Sequence, residues 1–172
     1  DDTSDVSYID TSVVLKNEDF GIIDNVATNI FDSEQNEICK VRIRNERKPN
    51  VGDKFSNRSG QKYTVGLILD QEDMPFTKNG ITPDIIMNPH AIPTRCSMGQ
   101  FLEGLLAKLC AIEGHFTDGS NFSKIDVNNV GNMLEKYGFN KSGTEKLRCG
   151  YTGKMLESDI YIGPLYNFRL RH

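Results

Sequence analysis

Five basic side chains lie close together in a stretch of chain that glycine and proline interrupt. Arg47, Lys48, Lys54, Arg58 and Lys62 occur within sixteen residues. Arginine and lysine bind phosphate oxygens through positive charge and charge-assisted hydrogen bonds, and glycine lets the backbone approach them closely. The stretch therefore fits a phosphate-binding loop, while a merely solvated basic loop is the open alternative. It is not a P-loop, because neither GxxxxGKS nor GxxxxGKT occurs in the chain.

Another basic side chain, Arg95, lies two residues before Ser97, where the most regular helical pattern in the sequence begins. A helix N-terminus attracts anions through its free N–H groups and its dipole, and a neighbouring guanidinium adds positive charge. Arg95 is therefore a second candidate for binding phosphate. A further basic group, Arg169, Arg171 and His172, ends the sequence.

Carboxylates and histidines offer weaker candidates for chemistry. Asp70, Glu72 and Asp73 could bind Mg²⁺, but they equally fit the capping of turns, since their spacing matches no regular ligand motif. His90 and His115 have no nearby residues in a triad pattern, so structural or surface roles are favoured for both. The four cysteines show no CxxC spacing, which indicates free thiols in a reducing compartment.

Charge distribution separates the basic stretch from the rest of the chain. The 172 residues are 37% hydrophobic and 26% charged, which is typical of a folded globular protein and excludes wholesale disorder and coiled coils. Residues 39–62 carry eight basic and two acidic side chains, whereas residues 1–38 carry one basic and ten acidic. A local patch for a polyanion is thus compatible with a net charge of −4. No apolar run approaches the roughly 20 residues that a membrane span needs.

Short strands are predicted to position these residues. Alternating or β-branched runs predict strands at residues 12–15, 21–23, 38–43, 63–69 and 84–87. In this third run Cys39, Val41 and Ile43 fall on one face and Lys40, Arg42 and Arg44 on the other, which predicts a half-buried strand. Residues 45–63 are predicted to form a loop, because glycine, proline, asparagine and serine are frequent there.

Two helices are predicted further along the chain. The first begins at Ser97, which forms a capping-box pattern with Gln100, and its apolar residues recur at helical spacing as far as Ile112. We interpret this apolar stripe as core rather than as a cofactor site. The second helix occupies residues 126–138, with the first aspartate as its N-cap. From Thr144 onward the chain is predicted to form a β-hairpin.

Four long motifs resemble one protein family. They are VGDKFSNRSGQKYTVG at residues 51–66, EDMPFTKNGITPDIIMNPHAIPTR at 72–95, GYTGKML at 150–156 and GPLYNFRLRH at 163–172. From about Asp10 to its last residue, the chain resembles the second-largest, β-type subunit of multisubunit DNA-directed RNA polymerase. NPHAIP and GQK make it more similar to the eukaryotic, archaeal and large-DNA-virus form than to the bacterial one.

The resemblance implies a mixed α+β fold, the hybrid-binding region of that subunit, with a double-psi β-barrel-type core and a helical insertion at about residues 97–138. Residues 1–9 are then a flexible acidic end, and residues 10–172 are the domain, truncated relative to the full subunit. The implied function is to help form the active centre and to hold the RNA–DNA hybrid and nucleotide phosphates. The isolated chain is expected to be inactive as a nucleotidyltransferase. The alternative is a stand-alone nucleic-acid-binding β-barrel without polymerase activity.

The same resemblance implies roles for individual residues. Lys54 and Arg95 are the implied catalytic residues, because the family places them against phosphates. The implied nucleic-acid- and phosphate-binding residues are Arg47, with Lys48 as its register alternative, Arg58, Gln61, Lys62 and His172. No residue of this chain is an implied metal ligand, since Mg²⁺ in the assembled enzyme is held mainly by the largest subunit.

Partners and location follow from the resemblance as well. The expected partners are the largest and the other polymerase subunits, the DNA template, the RNA–DNA hybrid and nucleoside triphosphates, without a membrane. The expected location is intracellular and reducing, in a nucleus, a cytoplasm, or a virus factory or virion.

Two departures from the family pattern concern the loop nearest the chemistry. Ser59 stands where the family usually has histidine, and Tyr63 where it usually has glycine. Tyrosine does not adopt a positive φ readily, so the departure at Tyr63 leaves the conformation of this loop open.

Overall fold

The computed structural model describes residues 12–16 and 20–171, and the chain divides into two compact units, residues 1–48 and 49–172. The acidic end predicted at residues 1–9 lies outside the described residues. The architecture is mixed α and β. Over the described part of the chain the strands form one three-stranded and three two-stranded antiparallel sheets, and none of these sheets closes into a barrel. Within that same part, no helix combines the length and apolar character of a membrane span.

In its described residues the first unit contains one antiparallel hairpin, β1 (Ile22–Phe31) and β2 (Glu37–Arg44). The strand predicted at residues 38–43 is therefore confirmed, and the one predicted at 21–23 is confirmed only as the start of β1. The prediction that β2 is half-buried is wrong, since its side chains from Cys39 to Arg44 are all exposed, apolar and basic alike. A two-stranded sheet buries little surface by itself, and this unit supplies no second described layer against it. Residues 12–15 are exposed and belong to no strand.

Besides a 3-10 turn at Gln71–Asp73, the second unit contains seven strands and three α-helices within its described residues. They are β3 (Lys54–Asn57), β4 (Lys62–Thr64), β5 (Phe76–Thr77), α1 (Ala91–Arg95), α2 (Gly99–Glu113), α3 (Val127–Lys136), β6 (Thr144–Glu145), β7 (Leu147–Arg148), β8 (Ile160–Tyr161) and β9 (Asn167–Arg169). β3 is the central strand of the three-stranded sheet, between β4 and β9. β5 pairs with β7, and β6 pairs with β8.

The prediction of a loop over residues 45–63 is wrong in part, because β3 lies inside that range. Turn-forming residues mark only the tip of the β3–β4 hairpin, where Gly60 takes a φ of 77° and the chain reverses. The strand predicted at residues 63–69 ends at Thr64, and residues 84–87 form no strand. Pairing with a distant strand, rather than local pattern, decides where these short strands begin and end.

The helices α2 and α3 build the main core of the second unit. Leu105 and Leu109 of α2 pack with Val130 and Leu134 of α3. The two predicted helices are therefore confirmed. The predicted core role of the apolar stripe is confirmed at the centre of α2. Met98, Leu102 and Ile112, at the ends of the stripe, are exposed. The aspartate predicted to cap α3 does so, since its carboxylate accepts hydrogen bonds from two backbone N–H groups of the first turn at 3.0 and 3.2 Å.

The C-terminal strands are attached to α2 by two side chains. Lys108 donates hydrogen bonds to the carbonyl oxygens of Gly143 and Ile162 at 3.4 and 3.3 Å. The hydroxyl of Tyr161 donates to the Phe101 carbonyl oxygen at 2.7 Å. A Cβ atom at position 104 would overlap that hydroxyl, which explains the glycine there. These contacts hold β6 and β8 against the helix.

We expect stability to fall at alkaline pH because of Tyr161. Burial, with a contribution from the charge of Glu103, raises the pKa of Tyr161 to about 12 from 10.0. The unfolded chain then loses the phenolic proton at a pH where the folded chain keeps it. The free energy of unfolding should therefore decrease as the pH rises from about 10 to about 12.

An absorbance titration of phenolate formation measures this directly. We expect Tyr161 to ionise with a pKa of about 12 in the folded protein, and Tyr161→Phe to remove that step from the end of the titration. A titration curve with that step intact in the variant would contradict the assignment.

Candidate nucleic-acid interface

The register of the three-stranded sheet places two predicted lysines on one face. Lys54 pairs with Thr64, and Ser56 pairs with Lys62 across the β3–β4 hairpin. Residues directly opposite each other on paired strands share a face, and so do residues two apart on one strand. Lys54 is two residues before Ser56, which lies opposite Lys62, so the two lysines are diagonal neighbours on the same face. Such neighbours are roughly 7–8 Å apart. Both lysines are exposed, and we call this side the basic face.

Lys54, Lys62 and Arg95 are predicted site residues that form no ion pair with another described residue. By contrast, Arg58 lies 4.0 Å from a carboxylate oxygen of Glu103. Like charges on one face oppose folding weakly, and a bound polyanion would relieve that repulsion.

Four buried polar side chains connect the hairpin tip to the start of α2. We call them the polar junction: Asn57, Gln61, Ser97 and Gln100. The Asn57 amide donates to the Gln100 side-chain oxygen at 2.6 Å, and the Ser97 hydroxyl donates to the Gln61 side-chain oxygen at 2.7 Å. The Asn57 side-chain oxygen accepts the Gln61 backbone N–H at 3.0 Å. All four residues are less than 9% exposed, so these bonds are shielded from water.

The capping box predicted at the start of α2 is wrong, because its two residues belong to the polar junction. The N-cap of α2 is Met98, and its side chain makes no capping hydrogen bond. Ser97 and Gln100 use their side chains on the β3–β4 hairpin instead. Their spacing is that of a capping box, but distant partners compete for the same atoms.

The polar junction also brings Lys62 and Arg95 to the same part of the molecule. Lys62 directly follows Gln61, and Arg95 lies two residues before Ser97. Arg95 is the exposed last residue of α1, a short helix that the sequence patterns do not predict. Cys96 then adopts a left-handed conformation, with φ 51°, and the chain turns into α2.

The two departures from the family pattern are accommodated without strain. Tyr63 is an extended residue of β4, and its ring stacks on Phe55 with centroids 5.9 Å apart. Its hydroxyl donates to the Asn167 side-chain oxygen at 2.6 Å, and burial raises the pKa of Tyr63. The positive φ of this loop is taken by Gly60. Ser59 lies at the tip, beside the first turn of α2.

The other predicted site residues differ in their exposure. Gln61 is only 3% exposed, so its side chain lies inside the polar junction rather than on the surface. Arg47 and Lys48 are exposed at the end of the first unit. His172 lies outside the described residues. The roles of these residues, like those of Lys54 and Arg95, stay predictions.

The described residues do not fit a metal site of their own. Within residues 12–16 and 20–171, no three histidine, cysteine, aspartate or glutamate side chains come close enough together to hold an ion. The acidic cluster at residues 70–73 therefore gains no support as a magnesium site. His90 is exposed beside α1, and His115 lies 3.4 Å from Glu113. All four cysteines are free.

Sequence reasoning missed Asn57, Ser97 and Gln100 as parts of the site. Their hydrogen bonds join residues 43 and 36 positions apart in the chain. No local periodicity reports such pairs, because each residue fits a turn or a cap equally well. The only local signal is the density of polar residues in a segment that packs against a helix.

Comparison with known proteins agrees with the motifs. A family model described as RNA polymerase Rpb2, domain 6, matches residues 1–172. The chain is 42% identical over 165 residues to DNA-directed RNA polymerase II subunit RPB2 of Encephalitozoon cuniculi. It is 40% identical over 163 residues to DNA-directed RNA polymerase subunit Rpo2 of Saccharolobus shibatae, and 43% over 164 residues to DNA-directed RNA polymerase subunit 2 of Acanthamoeba polyphaga mimivirus.

These alignments cover 95% or 96% of this chain but only 14% of each relative. The matches include eukaryotic, archaeal and viral relatives, as the motifs predicted. They do not favour the alternative of a stand-alone nucleic-acid-binding barrel. The chain thus belongs to the family of domain 6 of Rpb2, the second-largest subunit of RNA polymerase.

Proposed function

We propose that this chain supplies cationic groups to the active centre of a DNA-directed RNA polymerase during template-directed RNA synthesis. The observation that carries the proposal is the placement of Lys54, Lys62 and Arg95. The two lysines share the basic face, and Arg95 adjoins the polar junction that holds the same hairpin. Family membership supports this proposal, because the relatives are named as polymerase subunits.

The chemistry of nucleotidyl transfer fits these groups. The 3′ oxygen of RNA bonds to the α-phosphorus of a nucleoside triphosphate, and pyrophosphate leaves. Negative charge on the phosphate oxygens is stabilised by donors that are fixed before the reaction. In our proposal the Lys54 ammonium and the Arg95 guanidinium donate hydrogen bonds to these oxygens, and neither forms a covalent bond.

Other cations are proposed to hold the RNA–DNA hybrid. Lys62 and Arg47, with Lys48 as the register alternative to Arg47, would bind backbone phosphates. Such contacts carry no sequence information, which suits an enzyme that accepts any template. Arg58 and His172 are proposed to adjoin the same phosphates. Gln61, being buried, would position the hairpin rather than contact the hybrid.

The remaining features of the proposal concern the assembled enzyme. Mg²⁺ would be held mainly by the largest subunit, and the partners would be that subunit, other polymerase subunits, template DNA and nucleoside triphosphates. The small sheets of the second unit would belong to a double-psi β-barrel. Free cysteines support a reducing intracellular location, whether nucleus, cytoplasm, or virus factory or virion.

Binding of an RNA–DNA hybrid at increasing salt concentration tests the electrostatic part of the proposal. We expect the purified protein to retain the hybrid on a filter, with the logarithm of the binding constant falling linearly with the logarithm of salt concentration. Lys54→Ala and Lys62→Ala should each flatten that slope by about one. Lys136→Ala, at an exposed position of α3, is the matched control and should leave the slope unchanged. Retention that ignores salt would contradict the proposal.

A further inference from the structure

We infer that Phe168 and Tyr166 form a stacking platform for an unpaired base of bound nucleic acid, an inference that rests on the proposed function. The register of β9 places Phe168 opposite Ser56, whose other neighbour is Lys62. Lys62, Ser56 and Phe168 therefore form one row across the three-stranded sheet, on the basic face. Ser56 is small and buried, so a larger side chain stands on either side of it.

Both rings are exposed but fixed relative to each other. Phe168 is 45% exposed and Tyr166 is 53% exposed. Their centroids lie 4.9 Å apart with an interplanar angle of 71°, so the rings meet edge to face. Because each ring restricts the other, an exposed ring face of the pair loses little conformational entropy when a planar ligand stacks on it.

The surroundings of Tyr166 add charge and rigidity. The guanidinium of Arg58 lies 4.7 Å from the centre of the Tyr166 ring. Glu103 of α2 pairs with Arg58 at 4.0 Å, and its carboxylate accepts the Tyr166 backbone N–H at 3.1 Å. One helix residue thus holds both the cation and the backbone that carries the ring.

Charge and aromaticity together indicate the occupant. Lys54 and Lys62 lie on the same face as Phe168 and form no ion pair with another described residue, so the ligand is expected to be anionic. Exposed rings beside cations on a small sheet suit single-stranded nucleic acid, in which phosphates meet the cations and a base stacks on a ring. Bases inside a duplex are already stacked on each other and offer only their edges and backbone. The platform should therefore discriminate a single strand from a duplex.

Binding of a fluorescent single-stranded RNA oligonucleotide and of a blunt RNA–DNA hybrid tests the inference. Phe168→Ala should weaken binding of the single strand by roughly fivefold or more, with the salt slope unchanged and hybrid binding unaffected. Phe168→Tyr keeps an aromatic face and should bind like the wild type. Phe168→Leu keeps apolar bulk without a π-face and should bind like the alanine variant.

The results of this experiment distinguish a failure of the stacking platform from a failure of the proposed function. Equal single-strand affinity in Phe168→Leu and the wild type would overturn the platform, because apolar bulk alone would then suffice. This comparison decides the matter even if Phe168→Ala fails to fold. Poly-glutamate that competes with the RNA only when Phe168 is present would also overturn it, in favour of a protein partner. The slope of the binding constant against salt concentration in the lysine variants is a separate measurement, and it tests the proposed function alone.

Discussion

Lys54→Ala and Arg95→Ala should each slow RNA extension in an assembled polymerase by at least about tenfold at a fixed nucleotide concentration, or ~1.4 kcal/mol of transition-state stabilisation. Both side chains are exposed and have no ion-pair partner in the part of the chain that the structure describes. Alanine therefore removes a charge that the folded protein does not use for its own ion pairs. The loss should fall on the reaction rather than on stability.

Single-nucleotide extension measured over a range of nucleotide concentrations gives the required comparison. If the two cations bind the triphosphate in the transition state, kcat/KM should fall in both variants. Arg95→Lys should recover only part of the loss, because lysine keeps the charge but not the planar, forked donor geometry. Lys136→Ala in α3 controls for a general loss of charge. Wild-type rates in both alanine variants would refute the assignment of these two residues.

Gln61→Leu should lower the free energy of unfolding strongly, because it removes a hydrogen bond of the polar junction. The substitution leaves the Ser97 hydroxyl without its acceptor in a site shielded from water. A buried polar group without a partner costs about 1–3 kcal/mol of folding free energy. Since Lys62 is adjacent to Gln61, the variant should also weaken binding of the hybrid although no charge is lost.

Chemical denaturation measures the stability effect, with Gln71→Leu as the matched control. Gln71 is an exposed glutamine of the same unit, so its replacement should change the free energy of unfolding by well under 1 kcal/mol. The double variant Gln61→Leu/Ser97→Ala should lose less than the sum of the single variants, because the hydroxyl that lacks an acceptor is then absent. Strict additivity would show that the two side chains do not depend on each other.

Local pattern was sufficient for the elements that depend on nearby residues. The helices α2 and α3 follow from apolar spacing, and the cap at Asp126 follows from a side chain that bonds its own first turn. The turn at Gly60 likewise depends on one residue that tolerates a positive φ. Such features can be predicted because their partners lie within a few positions in the chain.

The stability and placement of the candidate site depend on contacts that are distant in sequence. Phe55 of β3 pairs with Arg169 of β9, more than a hundred positions away, and this pairing makes a strand of residues that locally resemble a loop. Through the same strand pairing, Phe168 lies on the basic face together with the two lysines.

The sequence by itself determined the two main helices, the concentration of positive charge and, through long motifs, the family. Only the tertiary structure decided that Ser97 and Gln100 hold a hairpin instead of capping a helix. It also decided which cations share a face and which are paired. The reason is that hydrogen bonds and ion pairs form between groups that are adjacent in space, whereas periodicity and capping patterns report only groups that are adjacent in the chain.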